Sequence, residues 1–396
     1  MTKTMLLIFC LISSLATAQH SADKMWVKLE TASQTANFYI NIPENGCVSL
    51  STISQGKKSN DIIWGPRLMN KGLFKLPIPA SAIIGKKGIV ELFTVELTAA
   101  KETGSRGNGE RQFNSPMGID YDRTRNELLV ADTGNDRIIR LTQDGRYLGK
   151  HGGFGVSFGD KSEEREDSLD TPYDVAAGGF SNFYVSDQNN KRICVFDSYR
   201  TYKGKFYPTD TQRRNSLNRP KGIKVDYENN IWIVDGRSDK IIKIAPNGDK
   251  LLELGGFGRG KQQLRSPNQI DVGPSGEIFV ADTGKSRIVV FDRFGSFLRE
   301  ITNIFKQPTA VTIDPDGLLI VCDASKKDIS LITPLGVLLS NLSTDSTGSK
   351  LKTPADLACN NDYVFCVDSG NHRLLHIKRK KLTTIVSWQC ADSVIE

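Results

Sequence analysis

The sequence lacks the motifs of the common nucleotide-dependent enzymes and is poor in histidine. Neither a glycine-rich P-loop nor a dinucleotide-binding fingerprint occurs, which argues against those two kinds of active site. The four histidines are His20, His151, His372 and His376. The last two are four residues apart in a predicted strand, roughly 13 Å, which is too far to share one zinc ion. We therefore predict no catalytic residue, no cofactor and no metal ligand among them.

A strong excess of charge of either sign is also missing. The chain has 52 Lys and Arg against 45 Asp and Glu, a net charge of +7, which is too mild for a dedicated nucleic-acid binder. After residue 18, no apolar run approaches the roughly 18 residues of a membrane-spanning helix. The 35 glycines indicate many tight turns and a β-rich fold, and the length of 396 residues predicts two or three domains.

Residues 1–18 have the pattern of an export signal. Lys3 supplies a positive charge, residues 5–15 form a short apolar stretch, and Ala-Thr-Ala at 16–18 matches a signal peptidase site. We predict cleavage after Ala18 and a secreted or periplasmic location. The alternative is a lipid on Cys10, but the residues before it are not the small ones that such a modification needs.

Cysteine pairing is not fixed by the sequence. Six cysteines follow residue 18, and no two of them form a C-x-x-C pair. Export permits disulfides, although a domain of this size does not need them. Cys322 and Cys366 lie in predicted strands, where buried free thiols are one interpretation and disulfides are the other.

The C-terminal two thirds of the chain repeats one pattern six times. A Pro is followed about fifteen residues later by an Asp that ends an apolar run, and the fifth residue after the Asp is basic. The prolines are Pro116, Pro172, Pro220, Pro267, Pro308 and Pro354. The anchors are Asp132 with Arg137, Asp187 with Arg192, Asp235 with Lys240, Asp282 with Arg287, Asp323 with Asp328 in place of a base, and Asp368 with Arg373.

Each repeat contains about four short apolar runs separated by turn residues, as in the blade of a β-propeller. In the fourth repeat the predicted strands are residues 269–272, 277–281, 287–292 and 297–301. Six such units predict an all-β, closed six-bladed disc, because neighbouring blades bury each other's sheet faces. An open solenoid is the alternative.

The anchors are interpreted as structural, because a single active site would not need six copies of them. The carboxylate of each anchor Asp can accept N–H groups of the turn that follows it and can pair with the basic residue. The fifth repeat should contain the weakest joint, since Asp328 stands where a base is expected.

Two stretches of the fourth repeat carry a family resemblance. Gly-Gly-Phe-Gly-Arg-Gly-Lys-Gln-Gln-Leu-Arg-Ser-Pro at 255–267 and Ile-Phe-Val-Ala-Asp-Thr-Gly-Lys-Ser-Arg-Ile at 278–288 resemble an NHL repeat. The resemblance covers residues 104–390 and implies a six-bladed propeller. It implies no single activity, because NHL-like propellers serve as protein-binding, RNA-binding and occasionally lyase modules. The several convergent histidines of the lyases are not found in this sequence.

Before the repeats, residues 19–99 show alternating apolar runs that predict a small β-rich, sandwich-like domain. The predicted strands are residues 25–29, 37–42, 47–53, 62–64, 73–78 and 89–97. Alternatively, residues 89–97 add a strand to the edge of the propeller. Residues 100–111 are glycine-rich and predict a linker, which assigns residues 112–390 to the propeller and 391–396 to a tail.

The residues that follow each Pro should surround the propeller axis, because they begin the innermost strand of each blade. Several are polar and could bind a small ligand, a cation or a peptide end at the mouth of the channel. They are Tyr173, Asp174, Lys221, Asn268, Gln269 and Asp356. The alternative is a hydrated channel without function. Asp174 and Asp356 belong to blades two and six, which argues against direct joint action.

Two basic runs could contact anionic glycans or could be solvated turns. They are Arg213, Arg214 and Arg219 in the insertion before the third repeat, and residues 378–381 at a predicted hairpin turn.

Together these features predict an exported, non-enzymatic propeller that binds a protein, peptide or glycan partner through a disc face or the channel mouth. Export argues against a nucleic-acid partner. The alternative is an exported, metal-dependent lyase or hydrolase with a divalent cation held at the channel mouth by Asp174 and Asp356. The sequence indicates no oligomeric state.

Overall fold

A computed structural model describes residues 25–31, 35–42, 46–54, 57–69, 72–79, 82, 86–153, 167–179, 182–208 and 217–389. The predicted export signal, including Cys10, lies outside these residues. The chain divides into two compact units, Met1–Glu96 with Lys380–Glu396, and Leu97–Arg379. Among the helices in the described ranges, none has the length and apolar character needed to span a membrane.

The first unit is built from strands at the alternating apolar runs. They are β1 (Trp26–Thr31), β2 (Thr35–Ile42), β3 (Gly46–Ser54), β4 (Lys57–Met69), β5 (Gly72–Pro79) and the first part of β6 (Lys87–Thr103). One sheet has the order β1-β2-β5, and β3 pairs with both β4 and β6. Phe38 and Ile40 of the first sheet share a buried cluster with Leu50 and Val90 of the second, as in a small β-sandwich.

The second unit contains six antiparallel sheets, one for each sequence repeat. Blades one and two contain β7 (Gly118–Asp122), β8 (Glu127–Asp132), β9 (Arg137–Thr142), β10 (Tyr147–Gly152), β11 (Pro172–Ala177), β12 (Phe183–Asp187), β13 (Arg192–Phe196) and β14 (Tyr202–Phe206). Blades three and four contain β15 (Pro220–Val225), β16 (Ile231–Asp235), β17 (Lys240–Ile244), β18 (Lys250–Gly255), β19 (Ile270–Val272), β20 (Ile278–Asp282), β21 (Arg287–Phe291) and β22 (Phe297–Ile301). Blades five and six contain β23 (Pro308–Ile313), β24 (Leu319–Asp323), β25 (Asp328–Ile332), β26 (Leu338–Leu342), β27 (Pro354–Cys359), β28 (Tyr363–Asp368) and β29 (Arg373–Gln389).

The sixth blade takes its fourth strand from the beginning of this unit. Within this unit its strand order is β27-β28-β29-β6, so the part of β6 after residue 96 is the fourth strand of a blade whose first three strands come from the last repeat. Residues 100–103 are therefore part of a strand, although they fall in the predicted linker. Pairing the two ends of the repeat region within one blade is a way to close a propeller.

The blades form a closed ring. The innermost strands contact one another in the order β7, β11, β15, β19, β23 and β27, and β27 contacts β7. Apolar side chains fill the space between neighbouring blades, as where Leu129 and Ile138 of blade one share a buried cluster with Val175 and Phe183 of blade two. The predicted six-bladed, all-β fold is confirmed, and the open solenoid is wrong.

In the repeats, the strand limits predicted from the alternation of apolar residues agree well with the observed ones. In the fourth blade, each observed strand begins and ends within one residue of its predicted limits. All five described cysteines are free thiols and buried. Cys322 and Cys366 lie on the second strands of blades five and six, with their Sγ atoms 3.8 Å apart.

Candidate functional site

Four of the six repeats make the same buried ion pair between the second and third strands of the blade. The Nε atom of the Arg donates to the Asp that ends the second strand, at 2.6–3.1 Å. The pairs are Asp132–Arg137, Asp187–Arg192, Asp282–Arg287 and Asp368–Arg373. Burial raises the pKa of Asp282 above its ordinary value, and the hydrogen bonds from the Arg265 backbone and the Arg287 side chain oppose this rise.

Each anchor Asp also holds the loop that precedes the innermost strand of its own blade. In all six blades its carboxylate accepts the backbone N–H found two residues before the repeat's Pro, at 2.6–3.0 Å. The donors are Asn114, Asp170, Asn218, Arg265, Lys306 and Lys352. The sequence predicted donors in the turn after the Asp, and Asp323 accepts from such a turn as well, through Ser325 and Lys326.

Blades three and five depart from the pattern. The Nζ atom of Lys240 pairs with Glu253, while the hydroxyl of Ser238 donates to Asp235 at 2.8 Å. In blade five, Asp328 lies opposite Asp323 on the neighbouring strand, and its Oδ1 has no hydrogen-bond partner among the residues described. Burial raises the pKa of Asp328, and the charge of Lys326 opposes this rise.

The residues two positions after each Pro alternate between polar and small around the axis. Asp174, Gln269 and Asp356 belong to blades two, four and six, whereas Gly118, Gly222 and Ala310 belong to blades one, three and five. A Cβ atom on Gly118 would lie 2.3 Å from Oδ1 of Asp174, and one on Gly222 would lie 2.0 Å from Oε1 of Gln269. The small residues therefore leave the space through which the polar side chains converge.

The three converging side chains bind one another and the neighbouring blades. The Gln269 amide donates to Asp174 at 2.9 Å and also bonds Asp356. Asp174 accepts the backbone N–H of Ile223, and Asp356 accepts that of Ile119, both at 2.8 Å. These bonds join blade two to blade three and blade six to blade one.

Both axial carboxyl groups are held toward the protonated form. Burial raises the pKa of Asp174 to about 6. Burial together with the charge of Asp174 raises the pKa of Asp356 well above its ordinary value. Gln269 bonds both carboxyl groups, although they belong to blades two and six. That the pair does not act jointly on a ligand stays a prediction.

The axis below this layer is also filled by its own side chains. Lys224 donates to Asp120 at 2.8 Å and lies 3.6 Å from Asp271, which accepts the hydroxyl of Thr312 at 2.9 Å. The space left among these layers is about 10 Å³, which is room for one water at most. In the described part of the chain, no group of three or more His, Cys, Asp or Glu side chains is arranged to hold a metal ion.

The other predicted mouth residues form a separate cluster. The Asn268 amide oxygen accepts the Tyr173 hydroxyl at 2.6 Å and the Lys221 ammonium at 3.0 Å, and the Asn268 NH₂ group donates to the carbonyl of Thr309 at 2.8 Å. Burial, with the nearby charge of Arg219, lowers the pKa of Lys221 to about 8. A ligand at these residues stays a prediction.

A polar cleft of about 590 Å³ lies where loops of blades two, three and four meet. Its lining comes from the turns after the second strands of blades two and three and from the loops before β15 and β19. The lining residues are Gln188, Asn189, Lys191, Asn218, Arg219, Gly236, Arg237, Asp239 and Ser266. Of these residues, only Arg219 was singled out from the sequence. The others lie in turns that are far apart along the chain, and no sequence pattern predicts that such turns line one cleft. Their one common feature is position beside an anchor Asp or a repeat Pro.

The remaining predicted features are dispersed. His372 lies in the turn before β29, not in a strand, and its Nδ1 accepts the backbone N–H of Ser115 at 2.9 Å. His376 on β29 bonds the Thr103 hydroxyl at 3.0 Å. The two histidines thus have separate partners.

The basic runs differ from their predicted places. Residues 378–381 lie within strand β29, not at a hairpin turn, and Arg379 is buried against Asp314 and Asp316 of blade five. Arg213 and Arg214 lie outside the described residues.

Comparisons with known proteins agree with this geometry. The NHL repeat family model matches residues 264–291. Human NHL repeat-containing protein 3 is 30% identical over 142 residues, covering 32% of this chain and 41% of the relative. Protein brain tumor of Drosophila melanogaster is 27% identical over 154 residues, covering 38% of this chain and 13% of the relative. This chain thus spans less than half the length of either curated relative.

A solved structure is similar in fold. A gluconolactonase from Xanthomonas campestris superposes with a TM-score of 0.52 at 15% identity, covering 76% of this chain and 92% of that one. At this identity the likeness shows the propeller fold alone. The repeat match shows an NHL repeat in the fourth blade, and with the similar sequences and the closed ring of six blades it supports an NHL-type six-bladed propeller.

Proposed function

We propose that this chain is an exported, non-enzymatic propeller that binds a protein partner, and that the polar cleft receives a peptide segment of that partner. The observation that carries the proposal is the cleft of about 590 Å³, which falls in the range of ligand-binding clefts, about 300–1,000 Å³. The axis offers no comparable space, because its polar side chains fill it.

The cleft is built on loops that the fold holds firmly. Asp187 and Asp235 each bind the loop before their innermost strand and the turn that follows the second strand. Loops fixed by buried carboxylates need little ordering when a partner binds, which reduces the entropic cost of association. The repeats thus serve recognition indirectly, by positioning the variable turn residues between the anchors.

The metal-dependent enzyme gains no support from the axis. Asp174 and Asp356 hydrogen-bond to Gln269 and to backbone N–H groups of neighbouring blades. A metal ion there would have to displace those bonds. We therefore keep protein binding as the proposed function.

The binding proposal is tested with a variant that fills the cleft. Asn189→Trp places a large ring on an exposed turn residue of the lining. The control, Arg146→Trp, places the same ring on the turn that follows strand β9 of blade one. Proteins from the exported fraction are captured on each immobilised chain, identified by mass spectrometry and then purified for direct titration. We expect Arg146→Trp to bind the purified partner as the unmodified chain does and Asn189→Trp to lose about tenfold or more in affinity. Equal affinities for both variants would exclude the cleft.

Export is tested separately. The chain should appear in the secreted or periplasmic fraction with Gln19 as its first residue, as determined by intact mass. A chain that keeps residues 1–18 and stays in the cytoplasm would refute the predicted signal.

A further inference from the structure

We infer that the cleft selects an acidic peptide segment; this deepens the proposed function and rests on it. Three of the lining side chains are basic, namely Lys191, Arg219 and Arg237, and one is acidic, Asp239. The basic excess is concentrated in one concave surface, where low-dielectric walls strengthen its field. A ligand that carries carboxylates is therefore favoured over a neutral one of the same shape.

The two arginines have donors available for such a ligand. Arg237 is exposed, and its guanidinium makes no hydrogen bond or ion pair with any residue that the structure describes. Arg219 is exposed as well, and of its guanidinium nitrogens only Nε is engaged within the described ranges, donating to Gln188 at 3.3 Å. Guanidinium groups bind carboxylates through two parallel hydrogen bonds, which gives both affinity and geometric selection.

The single acid explains why a peptide fits better than a uniformly charged polymer. Asp239 lies in the same wall, where its Oδ1 accepts the backbone N–H of Ser266 at 2.6 Å. A sulfated glycan carries charge on nearly every unit and would place one against Asp239. A peptide can set a neutral residue there and acidic residues at the arginines, and such placing of like charges is a common source of specificity.

Amide side chains complete the lining. Asn189 and Asn218 carry amide groups of the kind that bind a peptide backbone, whereas the Gln188 amide is already bonded to Pro220 and Arg219. The cleft therefore combines cations for carboxylates with amides for the main chain.

The inference is tested by fluorescence anisotropy with three labelled probes. They are an eight-residue peptide that alternates Glu with Gly and Ser, the same peptide with Gln in place of Glu, and a heparin-derived hexasaccharide. We expect the Glu peptide to bind the full chain about tenfold or more tightly than the Gln peptide, and its affinity to fall with rising salt.

Matched charge reversals locate the effect. Arg237→Glu, in the cleft, should weaken the Glu peptide about tenfold or more. Arg146→Glu, an exposed arginine at the far end of a third strand, should leave its affinity unchanged. Circular dichroism and thermal unfolding confirm that both variants fold.

Three results would overturn the inference. They are equal binding of the Glu and Gln peptides, equal loss in the two charge reversals, and tighter binding of the hexasaccharide than of the Glu peptide. Each is distinguishable from failure of the proposed function. If Asn189→Trp still loses affinity for the purified partner while any of these results holds, the cleft binds a partner whose segment is not selected for its acidic residues.

Discussion

At the scale of single residues, the basic residue five positions after the anchor Asp is buried in one blade and exposed in another, and its contribution to stability differs accordingly. Arg287 follows its anchor by five residues, and its side chain is 5% exposed while it binds Asp282, Glu300 and the carbonyl of Gln263. Lys240 occupies the same position in the preceding blade, but its side chain is 41% exposed and pairs with the surface residue Glu253. Burial, and not the presence of a cation, decides how much the position contributes.

This difference gives a first prediction. Replacing Arg287 by Met leaves the buried Asp282 carboxylate without its ion pair, so we expect the free energy of unfolding to fall by about 3–5 kcal/mol. Lys240→Met, the matched change in blade three, should cost about 0–1 kcal/mol. Urea denaturation at pH 7 measures both values. Similar losses in the two variants would show that exposure does not govern the anchor.

At the scale of the element, the innermost strands are joined by hydrogen bonds that depend on polar and small residues alternating from blade to blade. Positions two residues after Pro carry a polar side chain in even blades and a small residue in odd blades. This allows Asp174 and Asp356, which are not neighbours in blade order, to share Gln269. The sequence contains this alternation, but its meaning appears only when the six strands are placed around one axis.

The axial pair should make stability depend on pH. Because the pKa of Asp174 is raised to about 6 and that of Asp356 is also raised, the folded state binds protons more tightly than the unfolded state. This contribution is complete below about pH 4 and is lost as pH rises through about 6. Asp356→Asn keeps an acceptor for the Ile119 N–H and removes one charge. We expect its stability relative to the unmodified chain to increase by roughly 1–3 kcal/mol between pH 4 and pH 7.5.

The test compares the stability of two chains at each pH, because other groups change the stability with pH in the opposite direction. Burial lowers the pKa of His151 and His376 to about 4, so these residues reduce stability as pH falls below about 6.5. They are common to both chains and cancel in the comparison. Asp292→Asn is the control, since hydrogen bonds to its exposed carboxylate lower the pKa of Asp292; its relative stability should not increase with pH. A flat difference for Asp356→Asn would contradict the raised pKa values of the axial carboxyl groups.

At the scale of the whole propeller, ring closure depends on close approach of neighbouring innermost strands. Gly222 is one such contact, since an added Cβ would lie 2.7 Å from Cα of Gln269 and 2.8 Å from the carbonyl oxygen of Asn268. These are backbone atoms, which cannot rotate away. Added volume must therefore separate β15 from β19 and strain the ring.

Gly222→Ala should thus destabilise the propeller by about 1–3 kcal/mol. Gly273→Ala is the matched control, because the nearest atom to its added Cβ is a side-chain carbon of Phe279, 3.3 Å away; it should change stability by less than about 1 kcal/mol. Thermal unfolding compares the two. Equal stability would mean that the ring tolerates wider spacing between blades three and four.

The repeat, the strand limits of the fourth blade and the number of blades could be read from the sequence alone, because alternation, turn residues and the Pro-to-Asp spacing are local properties. The limits were less accurate before the repeats, where the run at 62–64 belongs to the longer strand Lys57–Met69. The sequence also predicted Tyr173, Lys221 and Asn268 at the channel mouth, although not that they would bind one another. The cleft and the axial cluster were decided only by the tertiary structure. Their residues come from different blades, and which of them meet depends on ring closure and on the size of the side chains between them.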